Sequence, residues 1–379
     1  MTKNINRILI VIATVVMQMS YSRSFMPVIK GLDVLQRYGG GRIVYTKDMP
    51  YGTPSEGYTP NTQIGIVNSD GTEALFVIHQ IQNHYNDFKP SFSSDGRYIA
   101  LISALSSTFD PTVQTTLYIL EVATGKIVGV GGRLDSFGII KWRPDSKALA
   151  YETQLANVSP AIYKVRIVNI DGTNDHIFLD ASPNVSISNP SWSPDGQHFL
   201  FYRHDYGTNA QSSQGSWVIS DADGSHQHPV AALDKAVAWY PLGTTLAMDD
   251  NNGHLQLVDA LSGAVEKMID YPADKHVSGN WSPDGRYVTF APTLDPDLHL
   301  HVVILDTTND QVRQLDTKPG RYEYMSWSPN SRYLAVSARL DPGIASGLYI
   351  LGVEDNSMVT LIPDSAEVFA PDWYKPISP

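Results

Sequence analysis

Two pairs of histidines in this 379-residue chain have a spacing that a metal site could use. His226 and His228 form one pair, and His299 and His301 form the other. In an extended strand each pair places two imidazoles on the same side, where both could bind one ion. The sequence places no third and fourth ligand beside either pair. We therefore interpret them as solvated strand residues and keep His299 and His301 only as a weak alternative for metal.

Other kinds of chemistry find less support. The acidic segments at 221–224 (DADG) and 249–253 (DDNNG) do not match the register of a calcium loop, and both fit hairpin turns better. The sequence has no Gly-x-Ser-x-Gly nucleophile elbow, no phosphate-binding glycine loop, no His-Glu-x-x-His zinc motif and no cysteine. We therefore expect a protein that is not an enzyme and that has no cofactor.

The stretch PSWSPDGQHFLFYR at 190–203 places Asp195 and His198 close together, as an acid and base pair could be. The stretch, however, is one of a series of copies. Its aromatic residue recurs every 42 to 50 residues along the chain. The anchor residues of the copies are Phe92, Trp142, Trp192, Trp239, Trp281, Trp327 and Trp373. Asp195 is therefore expected to be a turn residue and His198 a strand residue.

Each copy predicts four short antiparallel strands. The anchor ends the first apolar run, a Ser-Pro-Asp-Gly type turn follows, and three more runs rich in Val, Ile, Leu and Tyr complete the unit. Proline suits the second position of a type I turn, aspartate bonds nearby amides, and glycine supplies a positive φ. We expect the anchor to pack between neighbouring units. Four strands at this period are typical of the blades of a β-propeller.

Segments such as PSWSPDG, LYILEVATG and WVISDADG resemble the PD40 repeat of TolB-like, WD40-like propellers. The resemblance covers nearly all of residues 41–379, and it implies an all-β ring. TolB has a six-bladed ring and a separate N-terminal domain, for which residues 23–40 are too few. The ring also resembles the propellers of prolyl-oligopeptidase-type hydrolases and of seven-bladed oligogalacturonate lyases. The lyase resemblance implies a histidine-bound metal, so a metal-dependent polysaccharide lyase is the alternative function.

The number of blades follows from the two ends of the repeat region. Three strand-like runs at 42–47, 62–71 and 74–80 lack a first strand, and the C-terminal APDWYKP lacks the rest of its blade. Together they make one composite blade, which leaves no open sheet edge at the closure of the ring. The sequence thus predicts a single domain at 41–379, a seven-bladed propeller of four-stranded antiparallel blades.

The N-terminus predicts export. Lys3 and Arg7 precede an apolar run at 8–17, and polar residues follow, as in a secretory signal. We expect a signal peptide at 1–22 and a linker at 23–40, with an uncleaved membrane anchor as the alternative. The expected location is the periplasm or the outside of the cell. The net charge of −12 argues against a nucleic-acid partner.

The long loops between the second and third strands of the blades are the expected site of binding, because recognition loops sit on rigid scaffolds. Aromatic residues in these loops and in the neighbouring connections suit peptide or carbohydrate ligands. The candidates are Tyr51, Tyr58, His84, Tyr85, Phe109, Tyr206, Tyr322 and Tyr324. We expect a monomeric, non-catalytic scaffold that binds an envelope protein, a peptide or a glycan, with membrane contact only through an uncleaved N-terminus.

Overall fold

The computed structural model describes most of the repeat region. The described residues are 41–51, 59–72, 75–77, 86–104, 115–134, 139–154, 161–179, 182–206, 214–230, 237–249, 254–270, 277–290, 293–294, 300–315, 320–340, 346–363 and 368–374. In this part of the chain, no helix has the length and apolar character needed to cross a membrane. The signal peptide at 1–22 and the linker at 23–40 lie outside the described residues and stay predictions.

The described chain forms seven four-stranded antiparallel blades, as the repeats predict. Blade 1 is the composite, with the strand order β30–β1–β2–β3. Its pairing of β1 with β30 joins the two ends of the repeat region and closes the ring. The strands of blade 1 are β1 Arg42–Tyr51, β2 Thr59–Asn68, β3 Leu75–Val77 and β30 Val368–Tyr374.

Blades 2 to 4 follow in chain order, each with its first strand innermost in the ring. Blade 2 contains β4 Asn86–Phe92, β5 Tyr98–Ala104, β6 Thr115–Glu121 and β7 Ile127–Leu134. Blade 3 contains β8 Ile140–Trp142, β9 Ala148–Gln154, β10 Tyr163–Asn169 and β11 His176–Ile177. Blade 4 contains β12 Val185–Trp192, β13 His198–Asp205, β14 Gln214–Asp221 and β15 His228–Pro229.

Blades 5 to 7 complete the ring, and blade 6 carries an extra hairpin between its second and third strands. Blade 5 contains β16 Val237–Trp239, β17 Thr245–Asp249, β18 His254–Asp259 and β19 Val265–Asp270. Blade 6 contains β20 Val277–Trp281, β21 Tyr287–Phe290, the hairpin strands β22 Thr293–Leu294 and β23 Leu300–His301, β24 Val303–Asp306 and β25 Gln311–Gln314. Blade 7 contains β26 Gly320–Trp327, β27 Tyr333–Leu340, β28 Gly347–Gly352 and β29 Met358–Ile362.

The core of the ring is divided among the contacts between blades. Each of the seven hydrophobic clusters joins residues of two neighbouring blades, so there is one cluster for each seam. The aromatic anchor of every blade lies in the cluster that its blade shares with the preceding blade. Trp327, for example, packs with Tyr287 of blade 6 in nearly parallel planes, with ring centroids 5.8 Å apart. The predicted packing role of the anchors is confirmed.

Several anchors also bond the neighbouring inner strand. The indole N–H of Trp142 donates to the Ser91 carbonyl of blade 2 at 3.0 Å, and that of Trp239 donates to the Ser191 carbonyl at 3.2 Å. The indole nitrogens of Trp192 and Trp281 are buried without such a partner. The seams therefore share one packing plan and differ in their polar contacts.

Candidate binding site in the central channel

The Ser-Pro-Asp-Gly turn is a structural element. In blade 4, Asp195 accepts hydrogen bonds from the Ser193 hydroxyl at 2.5 Å and from the Gln197 amide at 3.0 Å. The Ser193 hydroxyl in turn accepts the amide of His198, which begins β13. The bond from Ser193, followed by that from Gln197, lowers the pKa of Asp195. The prediction that Asp195 is a turn residue and His198 a strand residue is confirmed.

The last position of the turn faces the preceding blade. Gly96, Gly196 and Gly285 have φ between 65° and 73° there, and Ser146 and Ser331 take the same left-handed conformation. Each of these serines uses its hydroxyl to accept an amide from the turn of the preceding blade. The backbone amide of Asp95 donates to the Ser146 hydroxyl, and that of Asp284 donates to the Ser331 hydroxyl, both at 3.0 Å. The turns thus fasten neighbouring blades together.

The first strands of the blades form the wall of the central channel, because each is the innermost strand of its sheet and lies beside the next one around the ring. We call the residue immediately before each anchor a channel position. The seven channel positions are Ser91, Lys141, Ser191, Ala238, Asn280, Ser326 and Asp372. Their side chains differ from blade to blade, whereas the anchors beside them are all aromatic.

Asp372 links the inner strands of blades 1 and 2. Its carboxylate accepts the Phe92 amide at 2.7 Å, and the Ser91 hydroxyl also donates to it. The amide of Trp373 donates to the Ser326 hydroxyl of blade 7 at 3.0 Å. Side chains at the channel positions therefore reach across to the neighbouring inner strand. Burial raises the pKa of Asp372 in spite of the hydrogen bonds that lower it.

Lys141 lies at the channel position of blade 3, and its side chain is exposed. Desolvation nevertheless lowers its pKa, opposed by the charges of Asp372 and Glu152. An exposed lysine that is also desolvated is expected where protein surrounds a narrow space that water can enter. Asp372 belongs to blade 1 and Lys141 to blade 3, so this electrostatic interaction spans two positions of the ring.

Glu152 supplies a second carboxylate beside this wall. It lies on β9 with an exposed fraction of 7% and accepts the backbone amides of Asn189 and Ile139. Burial raises its pKa, whereas those amides and the positive charges of Lys89 and Lys141 lower it. The carboxylate thus holds the inner strand of blade 4 against blade 3.

The inner strands are bulged where this cluster lies. The pairing register shifts between Phe88 and Ser91 in β4 and between Ser188 and Ser191 in β12. Lys89 and Asn189, each three residues before its anchor, have φ of 51° and 54° and are exposed. Non-glycine residues in this region carry strain of about 1–3 kcal/mol, and bulges redirect side chains. Lys89 therefore joins Lys141, Glu152 and Asp372 in one charged sector of the wall.

The structure places three of the predicted binding residues. Tyr324 is 49% exposed on the inner strand of blade 7, three residues before its anchor, and its ring lies 6.5 Å from that of Phe369. Tyr206 is half-buried, and its hydroxyl donates to the Ala161 carbonyl at 3.3 Å. Tyr322 is fully buried in the seam between blades 6 and 7. The expectation that the Tyr322 ring is exposed is therefore wrong, because the ring points into the core.

The other candidate binding residues lie wholly or partly outside the described residues. Tyr58, His84, Tyr85, Phe109 and His299 lie outside the described residues, and so do the side chains of Tyr51 and His301. Of the second histidine pair, the structure gives only the backbone of His301, in the hairpin strand β23. Their predicted roles stay predictions.

The first histidine pair lies at the turn between the third and fourth strands of blade 4. The Nδ1 atom of His226 is 2.6 Å from the Asp221 carboxylate, and this contact raises the pKa of His226. Within the described part of the chain, no three histidine or acidic side chains are grouped as metal ligands would be.

The sequence patterns did not single out Lys89, Lys141, Glu152 and Asp372. A signal was present, because the residue before the anchor changes from serine to lysine, alanine, asparagine or aspartate between copies. The hydrogen bonds of Glu152 to the next blade could not be seen without the ring.

The fold and the channel define a seven-bladed β-propeller of TolB-like architecture. No family model matches the chain. It is similar to TolB from Acinetobacter baumannii, with 16% identity, a TM-score of 0.51, and coverage of 88% of this chain and 67% of that one. Among curated proteins it is 23% identical over 205 residues to the uncharacterized peptidase YuxL of Bacillus subtilis. That match covers 54% of this chain and 29% of the relative.

Solved peptidases share the fold as well. A prolyl endopeptidase matches with 14% identity and a TM-score of 0.60, over 86% of this chain and 50% of its own. A puromycin-hydrolyzing peptidase of Mycobacterium tuberculosis matches with 12% identity and a TM-score of 0.60, over 86% of this chain and 52% of its own. The chain thus spans about half the length of these enzymes, and likeness at this identity concerns the fold.

Proposed function

We propose that this chain is an exported, non-catalytic propeller that binds a protein, a peptide or a glycan of the cell envelope. The observation that carries the proposal is the channel wall. It presents exposed side chains of different chemistry, namely Lys89, Lys141, Asn189 and Tyr324, on strands that end in nearly identical turns. Variation on a repeated, rigid scaffold is expected where a protein recognises a ligand.

Export is supported by the sequence of the N-terminus. Its basic start, its apolar run at 8–17 and the polar segment after it have the order of a secretory signal. The similarity to TolB in fold agrees with a role in the envelope. N-terminal sequencing of the protein purified from its native cells tests the prediction, because cleavage after Ser22 gives a mature chain that begins at Arg23.

The non-catalytic role is supported by the missing nucleophile motifs. The similarity to peptidases favours the opposite, so peptide turnover is the first activity to assay. Hydrolysis of peptides or polysaccharides that point changes in this chain abolish would refute the proposal. For the lyase alternative, the decisive result is bound metal that is lost in His299→Ala.

The binding role is tested by cross-linking the tagged protein in its native envelope and identifying what it captures. Tyr324 is an exposed aromatic side chain on an inner strand, so Tyr324→Ala should reduce the capture of a specific partner about tenfold or more. Leu242→Ala is the matched control, because Leu242 is 64% exposed on the first turn of blade 5. Equal capture by both variants would show that the channel wall takes no part in binding.

A further inference from the structure

In the charged sector of the channel wall, as far as the structure describes it, the carboxylates have hydrogen-bond partners and the ammonium of Lys141 does not. Both carboxylates already accept backbone amides, Asp372 from Phe92 and Glu152 from Asn189. Among the described residues, the ammonium of Lys141 forms no hydrogen bond or ion pair. The three N–H donors of this cation therefore have no partner in the described part of the chain, while the anions are largely engaged.

Lys141 also differs from the residues at the equivalent position of the other blades. The six other channel positions carry serine, alanine, asparagine or aspartate, and none carries a cation. Packing does not explain the lysine, because alanine and serine fill the same position in other blades. The charges of Asp372 and Glu152 offset the desolvation of Lys141 only in part, because its pKa stays lowered. A further negative charge beside the ammonium would therefore be favourable.

The neighbourhood of Lys141 favours an anion. Lys89 lies in the bulge of the adjacent inner strand, and both lysines interact with the charge of Glu152. The neutral part of the wall offers further donors, since Asn189 and Ser191 follow on blade 4. A planar anion could be bonded by the ammonium and by these amide and hydroxyl groups together.

We propose that Lys141 anchors a carboxylate-binding site in the central channel, with Lys89 as the second cation. The ligand class is a small carboxylate, either the free end of a peptide or an acidic sugar. The two carboxylates of the wall set a limit on this site, because they repel ligands with several negative charges. The proposal rests on the binding role inferred above and names the ligand chemistry of that channel.

Calorimetric titration of the purified chain tests the site with four defined probes. Tri-alanine with a free C-terminus is compared with its C-terminal amide, and galacturonic acid is compared with galactose. We expect at least one acid to bind and its neutral analogue to bind at least tenfold more weakly, because a charge-assisted hydrogen bond is lost. Tri-alanine alone would identify a chain end as the ligand, and galacturonic acid alone would identify a sugar acid.

Three variants separate Lys141 from a general effect of charge. Lys141→Met should weaken binding of the acid about ten- to a hundredfold, and Lys141→Arg should retain most of it. Lys147→Met is the matched control, because Lys147 is exposed on the turn of the same blade. An unchanged melting temperature of Lys141→Met would confirm that the wall is intact.

Two results would overturn the proposal. One is that neither acid binds the wild-type chain. The other is that Lys141→Met and Lys147→Met bind the acid equally well. Either result would leave the capture experiment with Tyr324→Ala undisturbed, so failure of the carboxylate site is distinguishable from failure of the binding role.

Discussion

The ring holds two kinds of carboxylate, which behave in opposite ways. At the turns, Asp195 is surrounded by donors and Asp145 by the guanidinium of Arg143, and both pKa values are lowered by these contacts. At the channel wall, burial raises the pKa values of Asp372 and Glu152. The turn carboxylates are placed where ionisation is favourable, and the channel carboxylates where it is not.

This difference distinguishes the turns from the channel wall. The inner strands of blades 2, 4 and 6 end in turns whose aspartates accept a serine hydroxyl and a backbone amide of the same turn. A few residues before their turns, the inner strands of blades 2 and 4 are bulged, and desolvation lowers the pKa values of Lys89 and Lys141 on the inner strands of blades 2 and 3. Bulges and desolvated charges oppose stability, and such features are retained where they serve a function. Structural ion pairs also shift pKa values and are the competing explanation. Substitutions in the turns and in the channel wall should therefore differ in their effect on stability.

The largest expected effect is at a turn. Gly96 has φ of 65°, and a Cβ added there would lie 1.7 Å from the ring of Tyr374 in blade 1. Gly96→Ala should lower the free energy of unfolding by about 3 kcal/mol, from backbone strain and overpacking together. Chemical denaturation measures the loss.

Gly263→Ala is the matched control for this change. Gly263 has a similar φ of 72°, and nothing lies within 4 Å of a Cβ built on it. The control should lose only about 1 kcal/mol, which is the backbone part of the effect. Equal losses in the two variants would show that the turn of blade 2 is not packed against blade 1.

A smaller effect is expected for the turn carboxylate itself. Asp195→Ala removes the acceptor of the Ser193 hydroxyl and of the Gln197 amide, so the free energy of unfolding should fall by about 1–2 kcal/mol. Lys141→Met, in contrast, should leave it almost unchanged, because the side chain is exposed and without a direct partner. If Lys141→Met destabilised the fold more than Asp195→Ala, the lysine would have a structural role.

The repeats made the ring predictable. The anchors at a period of 42 to 50 residues gave seven blades, and the incomplete ends gave the closure that β1 and β30 form. The turn chemistry was also readable, because its residues lie next to one another in the chain. Tyr322 shows the limit of such analysis. The sequence placed it in a connection between blades, whereas it lies in β26 and its ring is buried in the core. The alternation of side chains in this bulged strand cannot be followed from sequence.

The candidate site was hidden for a physical reason. Lys141, Glu152 and Asp372 lie on three different strands, and only the closed ring brings them together. A single copy of the repeat shows a lysine before a tryptophan, which any exposed strand could carry. The channel therefore had to be found from contacts between blades and not from a motif.

A loss of stability smaller than that of Asp195→Ala is expected when the hydrogen bond from an anchor to the inner strand of the preceding blade is removed. Trp239 donates to Ser191, whereas the buried indole nitrogen of Trp281 has no partner. Trp239→Phe should therefore destabilise the fold by about 1 kcal/mol more than Trp281→Phe, because both changes remove the same volume and only one removes a bond. Equal effects on the free energy of unfolding would show that these bonds add nothing to the seam.

The smallest expected effect is on the pH dependence of stability, which should have opposite signs at Asp372 and Asp195. In the folded chain the pKa of Asp372 lies above its ordinary value of 3.8, so its stabilising contribution is present at low pH and is lost as the pH rises through the folded pKa. The pKa of Asp195 lies below 3.8, so its contribution is present above that value and is lost as the pH falls. Relative to its own Asp→Asn variant, wild type should thus lose stability with rising pH at position 372 and gain it at position 195. Denaturation between about pH 3 and pH 7 measures both differences in the free energy of unfolding. If both differences changed with pH in the same direction, the distinction between the turns and the channel wall would be contradicted.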